Sequence, residues 1–433
     1  MFLFEKALEG SRRYQLWVAG LVAFIGVAFV VYLHQLRYGL GITGMSRNVS
    51  WGLYIGQFTF LVGIAASAVM VVIPYYLHNR REFGRMTILG ESLAVAAVTM
   101  CLAFILIDMG SPTRALNVIL YPQFHSIMFW DMVSLSGYLF LNAIITVNAL
   151  HAEQQNLPLA GWLSPVIRLS IPWAISIHTV TAFLYCGLPG RMFWRTAVLA
   201  PRFLASAFAA GPALLILLCL LARKLTGYDV GKKAIDGLAV VVTYAMLANV
   251  FLLMMELFTA FYSHVPELTE HLKLMYLGQG GPTLLGVFGQ VSLLLMFAAL
   301  APLLVPRLRR SERWLTIACA AVFTSLWMDK GVCLVVCGFS PSPLGAVTSY
   351  VPTLPEVTIT LGVWAAGALM ITVFYKIAIA VNAEEGAEHS PTYEPGGARG
   401  PVGSAAHASQ AGVLSSPGQF PASGDGTSGR DRR

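Results

Sequence analysis

SLAVAAVTMCLAFILIDMGSPTRAL, residues 92–116, joins an apolar run to a pair of opposite charges. No residue from Ser92 to Ile107 is charged; the run then ends on Asp108, turns through Gly110, Ser111 and Pro112, and meets Arg114. Extended back to Leu89, the segment is long enough to cross a hydrocarbon core of ~30 Å as a helix. An ionisable pair at the mouth of a span is costly unless something neutralises or uses it. A spanning helix and a polar mouth are therefore the two features to look for elsewhere.

Similar runs recur. With this one at 89–108, spans are expected at 16–36, 53–77, 130–150, 167–186, 203–222, 236–262, 283–304, 314–334 and 357–380. Only 11% of the 433 residues are charged and 57% are hydrophobic, where a soluble domain carries roughly 25% charged residues. Mean hydropathy is +0.69. The fold class is all-α: a polytopic membrane protein of ten transmembrane helices, expected to pack as two four-helix bundles plus flanking helices. The alternating strand-length segments of a barrel are missing. Residues 1–15 read as a cytoplasmic N-terminal segment and 16–381 as the ten-helix membrane domain. The first span follows Lys6, Arg12 and Arg13, yet its apolar run is too long for a signal peptide and reads as a retained helix. Residues 382–433 are rich in Gly, Ser, Ala and Pro, too poor in apolar surface to offset ordering entropy, and read as a disordered cytoplasmic tail.

The formal charge of +7 is what positively charged inner loops produce; no basic stretch interleaved with aromatics suggests nucleic acid. Counted over alternate sides, Lys and Arg divide 20 against 8. Both termini are therefore expected in the cytoplasm, with Asp108 and Arg114 on the outer face, periplasmic in a bacterial cell. Of six cysteines, only Cys333 and Cys337 are close, on one helix face if helical. Four-cysteine cluster spacing is missing, so no metal is expected.

Polar groups gather toward the outer face: His34, Arg37, Arg47, Asp131, His178, Glu256, Asp329 and Lys330. Glu91 and Asp108 end one span about 25 Å apart and ~100° out of line. They are either interface anchors or ends of a proton route, which would have to use neighbouring helices. Two intramembrane histidines on one side are too few for a di-haem cytochrome b. A quinone headgroup suits them better, since a His with a nearby carboxylate supplies both a hydrogen bond and a proton at neutral pH. A histidine bonded to a neighbouring helix is the plainer alternative. Arg191, Arg195 and Arg202 run against the inside-positive bias; an acidic partner surface, or pairing with Asp108 and Asp131, accounts for them equally. The small-residue runs GIAASA (63–68) and ASAFAAG (205–211) predict close helix packing, and Trp51, Trp130, Trp173, Trp194 and Trp327 an interfacial belt.

Taken as a set, several stretches resemble the NrfD/PsrC family of membrane subunits: SRNVSWGLYIGQFTFLVGIAASA (46–68), IDMGSPTRAL (107–116), Trp130-Asp131 and CGLPGRMFWRTAVLAPRFLASAFAAGPALL (186–215). WMDKGVCLVVCGFSPSPLG (327–345) and YVPTLPEVTITLGVWAAGALMITVFYKIAI (350–379) resemble its ten-helix members, in particular those of Dsr-type complexes associated with sulfite reduction. The resemblance implies a bacterial inner-membrane subunit without a tightly bound cofactor, exchanging electrons between menaquinone or ubiquinone and a periplasmic ferredoxin-like iron–sulfur subunit. Such a subunit does redox chemistry only with its partners. A Dsr-type complex would add a periplasmic multihaem cytochrome c, a membrane cytochrome b and a cytoplasmic iron–sulfur subunit.

Asp108 and Arg114 fall in the family's Asp-x-Gly-x-Pro-x-Arg motif. Asp131 stands where many relatives carry Gly after Trp. The implied sites are Asp108, His178 and Asp131 as catalytic groups, and His34, Arg114, Trp130 and His178 around the quinone. Glu91, Asp108 and Glu256 would serve a proton route, and Arg191 and Arg195 partner docking. Two other classes fit ten spans with carboxylates: a secondary transporter or proton channel, and a structural membrane anchor. Against the transporter, the polar groups lie toward one face, with no central helix break.

Overall fold

The computed structural model describes residues 10–155, 157–278 and 284–384. The tail expected at 382–433 lies outside the described residues from 385 onward. Ten helices are long and apolar enough to span a membrane, each coinciding with an expected run, and no strand occurs among the described residues. They are α1 (Arg12–Tyr38), α2 (Leu53–Leu77), α3 (Arg81–Asp108), α4 (Ile127–Ala152), α5 (Leu163–Cys186), α6 (Leu199–Thr226), α7 (Lys232–Tyr262), α8 (Leu284–Leu304), α9 (Glu312–Cys337) and α10 (Leu354–Val381). The chain is a multi-pass integral membrane protein.

Local chemistry sets the helix ends. Ser11 caps α1 by accepting the Tyr14 N–H at 3.3 Å, and Gly39, at φ +75°, ends it. Gly227, left-handed at φ +77°, closes α6 with its N–H on the Arg223 carbonyl.

Helix α2 is the centre of the molecule: every residue from Leu53 to Ala65 is buried. It packs on α3, α6 and the end of α9. Along the chain α3–α4, α4–α5, α5–α6, α6–α7 and α8–α9 are neighbours, and α6 also meets α9. Helix α1 stands apart. Its face is apolar and exposed, as a lipid-facing helix requires, and it pairs with α10 through Trp17 on Thr372 and Ala28 against Gly362.

The two small-residue runs meet each other. A Cβ on Gly211 of α6 would fall 2.9 Å from the Ser67 nitrogen of α2, so only glycine permits this backbone contact, the form of packing that holds helices together in lipid. At the other contact of α2, a Cβ on Gly56 would lie 1.7 Å from the Gly331 carbonyl oxygen. Gly331 belongs to a π-helical turn, Asp329–Cys333, inserted in α9 with all five residues buried. This wide turn shifts the register of the last helical turn of α9. The Cys333 and Cys337 thiols donate to different carbonyls, those of Leu285 and His271.

Candidate functional site

Helices α2, α4, α6, α8 and α10 begin at one end of the molecule, where α1, α3, α5, α7 and α9 finish. Three buried polar groups are built there.

The first joins α6, α7 and α9. The Arg202 guanidinium donates to Glu256 Oε2 and to Asp329 Oδ2, both at 2.7 Å, with all three side chains buried. The segment between α7 and α8, a short helix Pro266–Leu272 followed by a π turn Lys273–Leu277, brings Tyr276 to the same place. Its hydroxyl donates to Asp329 Oδ1 at 2.8 Å. Burial, and then the Asp329 carboxylate, push this phenol well above its usual range, so it stays protonated. Lys330 is buried beside them, aimed instead at α6: Nζ lies 3.4 Å from the Phe203 carbonyl and 4.1 Å over its ring. Arg202, Asp329 and Lys330 border a cavity of about 10 Å³ with Ser206 and Asn249, the room one water needs. Buried carboxylates require such pairing.

The second lies between α4 and α5. Asp131 is buried and accepts the Thr181 hydroxyl at 2.7 Å. One turn earlier on α5, His178 is fully buried, and neither ring nitrogen has a hydrogen-bond partner among the described residues. A buried imidazole without a hydrogen-bond partner is costly.

The third lies where α1, α2, α3 and α10 converge. Gln35 is buried, donates to the Ile107 carbonyl at 2.9 Å and accepts from the Tyr54 hydroxyl at 2.7 Å. Asp108 follows Ile107, half-buried, with Oδ1 enclosed and without a hydrogen-bond partner among the described residues. Glu356, at the start of α10, is fully buried: it accepts the Leu53 N–H at 3.2 Å, the Gly44 N–H at 2.9 Å and the Tyr350 hydroxyl. Burial and Glu356 together raise the Tyr350 pKa above its normal value. An aromatic cluster of Trp51, Tyr185, Trp194 and Phe339 packs beside these groups, and Tyr185 shares a hydrogen bond with Thr59.

The residues expected from sequence therefore divide. Asp108, Asp131, His178 and Glu256 are carried inward at this end, and Glu91 is buried toward the opposite end of α3. His34 is exposed on α1, stacked on Tyr38, and its neighbour Gln35 is the buried residue. Arg114 and Trp130 are also exposed, the indole donating to the Phe124 carbonyl at 2.9 Å. Arg191 is half-buried over the Phe339 ring at 4.3 Å, and Arg195 is exposed.

One expectation is corrected. Arg202 pairs with neither Asp108 nor Asp131: α6 begins at Leu199 rather than 203, which puts Arg202 inside the bundle, where Glu256 and Asp329 meet it. Glu256, Asp329 and Lys330 within the apolar runs of two spans were the sequence signal for that network; Arg202, just before its expected span, was not. Nothing in the sequence singled out Gln35, Tyr54, Thr181 or Tyr276.

The chain is similar to several subunits of oxidoreductases. The chain is 26% identical over 401 residues to a putative dimethyl sulfoxide reductase membrane subunit of Halobacterium salinarum, covering 82% of this chain and 89% of that one. It is 25% identical over 318 residues to an Hdr-like menaquinol oxidoreductase integral membrane subunit of Archaeoglobus fulgidus, covering 72% and 77%. Over 236 residues it is 23% identical to a selenate reductase subunit of Mesobacillus selenatarsenatis, 46% and 54% of the two chains. The family described as polysulphide reductase, NrfD, matches residues 41–339, which include all three polar groups except Gln35, Tyr350 and Glu356. That match spans more than half of the chain, and the chain belongs to the NrfD family of integral membrane subunits.

Proposed function

We propose that this chain is the quinone-binding membrane subunit of an oxidoreductase complex, exchanging electrons between menaquinone and an iron–sulfur partner at the polar end. The observation that carries the reading is His178, buried without a partner one turn from the Asp131–Thr181 pair. Quinol oxidation yields two electrons and two protons. A neutral imidazole can hydrogen-bond a quinone oxygen, and Asp131 and Asp108 can take up the protons. The electrons pass to the iron–sulfur partner. The Archaeoglobus relative, by name a menaquinol oxidoreductase subunit, favours menaquinone over ubiquinone.

The finer assignment follows the sequence resemblance: a DsrP-type subunit in sulfur metabolism, with the polar end periplasmic in a bacterial inner membrane. Its partners would be a ferredoxin-like iron–sulfur subunit, a multihaem cytochrome c, a membrane cytochrome b and a cytoplasmic iron–sulfur protein. In this reading His34, Arg114 and Trp130, all exposed, act at the entrance rather than around the headgroup.

The test is purification in mild detergent with partners retained, followed by titration of a quinol analogue against the iron–sulfur EPR signal. A perturbed signal that His178→Ala abolishes, while the partners still co-elute, is expected; Asp108→Asn should slow quinol-coupled turnover at least tenfold. An intact complex whose signal ignores the analogue, or whose turnover ignores both substitutions, rejects the reading.

A further inference from the structure

The cleft between α5 and α6 carries a second feature, outside the three polar groups. Phe183 and Cys186 of α5, Thr196 and Ala197 just before α6, and Ala200 in its first turn line a groove of about 320 Å³, with Arg195 at its rim. Its position relative to the bilayer follows from helix spacing. On α5, Ile175, Thr179, Phe183 and Cys186 fall at intervals of four, four and three residues, a single helix face. Ile175 and Phe183 are 43% and 49% exposed. On α6, Ala200, Leu204 and Phe208 form the matching incompletely buried face, with Ala197 just before it. Exposed apolar side chains on a spanning helix face acyl chains, so the groove opens sideways into the membrane, near the ends of both helices.

Its rim has the opposite chemistry. Arg195 makes no ion pair among the described residues; its one contact is Nη1 on the Met192 sulfur at 3.5 Å. Thr196 Oγ1 accepts the Val198 N–H at 3.2 Å, and its hydroxyl proton remains available as a donor. The Cys186 thiol is already committed to the Trp194 and Thr196 carbonyls and contributes only a wall. A guanidinium and a hydroxyl donor stand over an apolar trough at the depth of the headgroups. This is the complement of a phosphate diester carrying acyl chains.

We propose that this groove binds one anionic phospholipid, its phosphate held by Arg195 and Thr196 and an acyl chain laid along Phe183, Ala200 and Ile175. The apolar trough favours a lipid over an acidic protein surface, which would meet Arg195 but leave the trough unfilled. The groove is distinct from the Asp131–Thr181 pair and His178, none of which lines it.

The test uses the delipidated full chain in detergent, titrated with palmitoyl-oleoyl phosphatidylglycerol or phosphatidylcholine and followed by native mass spectrometry. Phosphatidylglycerol should be retained preferentially. Arg195→Ala should weaken that retention about five-fold, the effect of one basic residue at a membrane surface. Ala200→Trp, which fills the trough while leaving the charge, should weaken it as well. Arg47→Ala, another exposed cation at the same end, should leave it unchanged, and excess inorganic phosphate should not displace the lipid. Equal retention of both lipids, equal effects of the two arginine substitutions, or displacement by phosphate alone overturns the proposal. So does loss of a co-purifying protein from Arg195→Ala with lipid retention intact.

Discussion

Arg202 shows how much one side chain decides in an apolar surround. Its guanidinium bridges Glu256 and Asp329 at 2.7 Å each, and removing it leaves two carboxylates buried without a cation. Arg202→Met should therefore destabilise the purified chain by about 3–5 kcal/mol, read as a fall in melting temperature. Lys330 does not substitute, since its ammonium is turned to Phe203. The combined change Arg202→Met, Glu256→Gln, Asp329→Asn removes every charge of the bridge and should recover most of the loss; a triple variant no more stable than Arg202→Met would show that packing, not charge, sets the cost. The sequence made these residues visible but not their pairing. Counting cations near span ends treats Arg202 as a loop residue, while a shift of one helical turn in where α6 begins carries it into the core. His34 and Gln35 show the same limit: successive residues point ~100° apart on a helix. On a helix as evenly apolar as α1, only the contact with α10 and α3 says which of the two faces inward.

At the scale of elements, the spans were legible because twenty apolar residues in lipid have few alternatives to a helix. The irregular pieces were not. The π turn in α9 and the short helix Pro266–Leu272 leave no periodic trace in the sequence, yet they bring Asp329, Lys330 and Tyr276 together. Nor does sequence show that α10 caps α2, where Glu356 accepts the Leu53 and Gly44 amides. Glu356→Gln weakens a charge-assisted cap and should cost about 1–3 kcal/mol, with faster amide exchange confined to Gly44 and Leu53; unchanged exchange there would show that Tyr350 holds the junction alone. The short helix gives a pH prediction. His271 is buried, stacks on Phe193 at 5.3 Å and places Nδ1 2.5 Å from the Glu267 carbonyl. Burial holds its pKa below the ordinary value of 6.5. The unfolded chain therefore binds this proton first as pH falls, so stability is intact above about 6.5 and declines below it. Melting temperature should drop between pH 7.5 and 5.5 in the native chain and drop less in His271→Gln; equal drops would assign the acid sensitivity to another group.

The whole molecule is polarised. Asp131, His178, Arg202, Glu256, Asp329 and Glu356 are all buried toward one end, whereas the opposite end has the basic loops, among them Arg80, Arg81 and Arg85, and Arg307, Arg309 and Arg310. This asymmetry was the most legible functional feature of the sequence, because it depends only on which helix ends carry which residues and not on how the helices rotate. It also yields a prediction that needs no partner protein. If Lys and Arg set orientation as they do in other polytopic proteins, the polar end faces outward. Gln123, exposed in the loop after α3, and Arg310, exposed between α8 and α9, then lie on opposite sides of the membrane. In a Cys186→Ser background, which removes the one native cysteine that is not buried, an impermeant maleimide should label Gln123→Cys in intact cells. Arg310→Cys should react only after permeabilisation. The reverse pattern would put Asp108, Asp131 and His178 on the cytoplasmic side, and any quinone chemistry there would draw on cytoplasmic rather than external electron carriers.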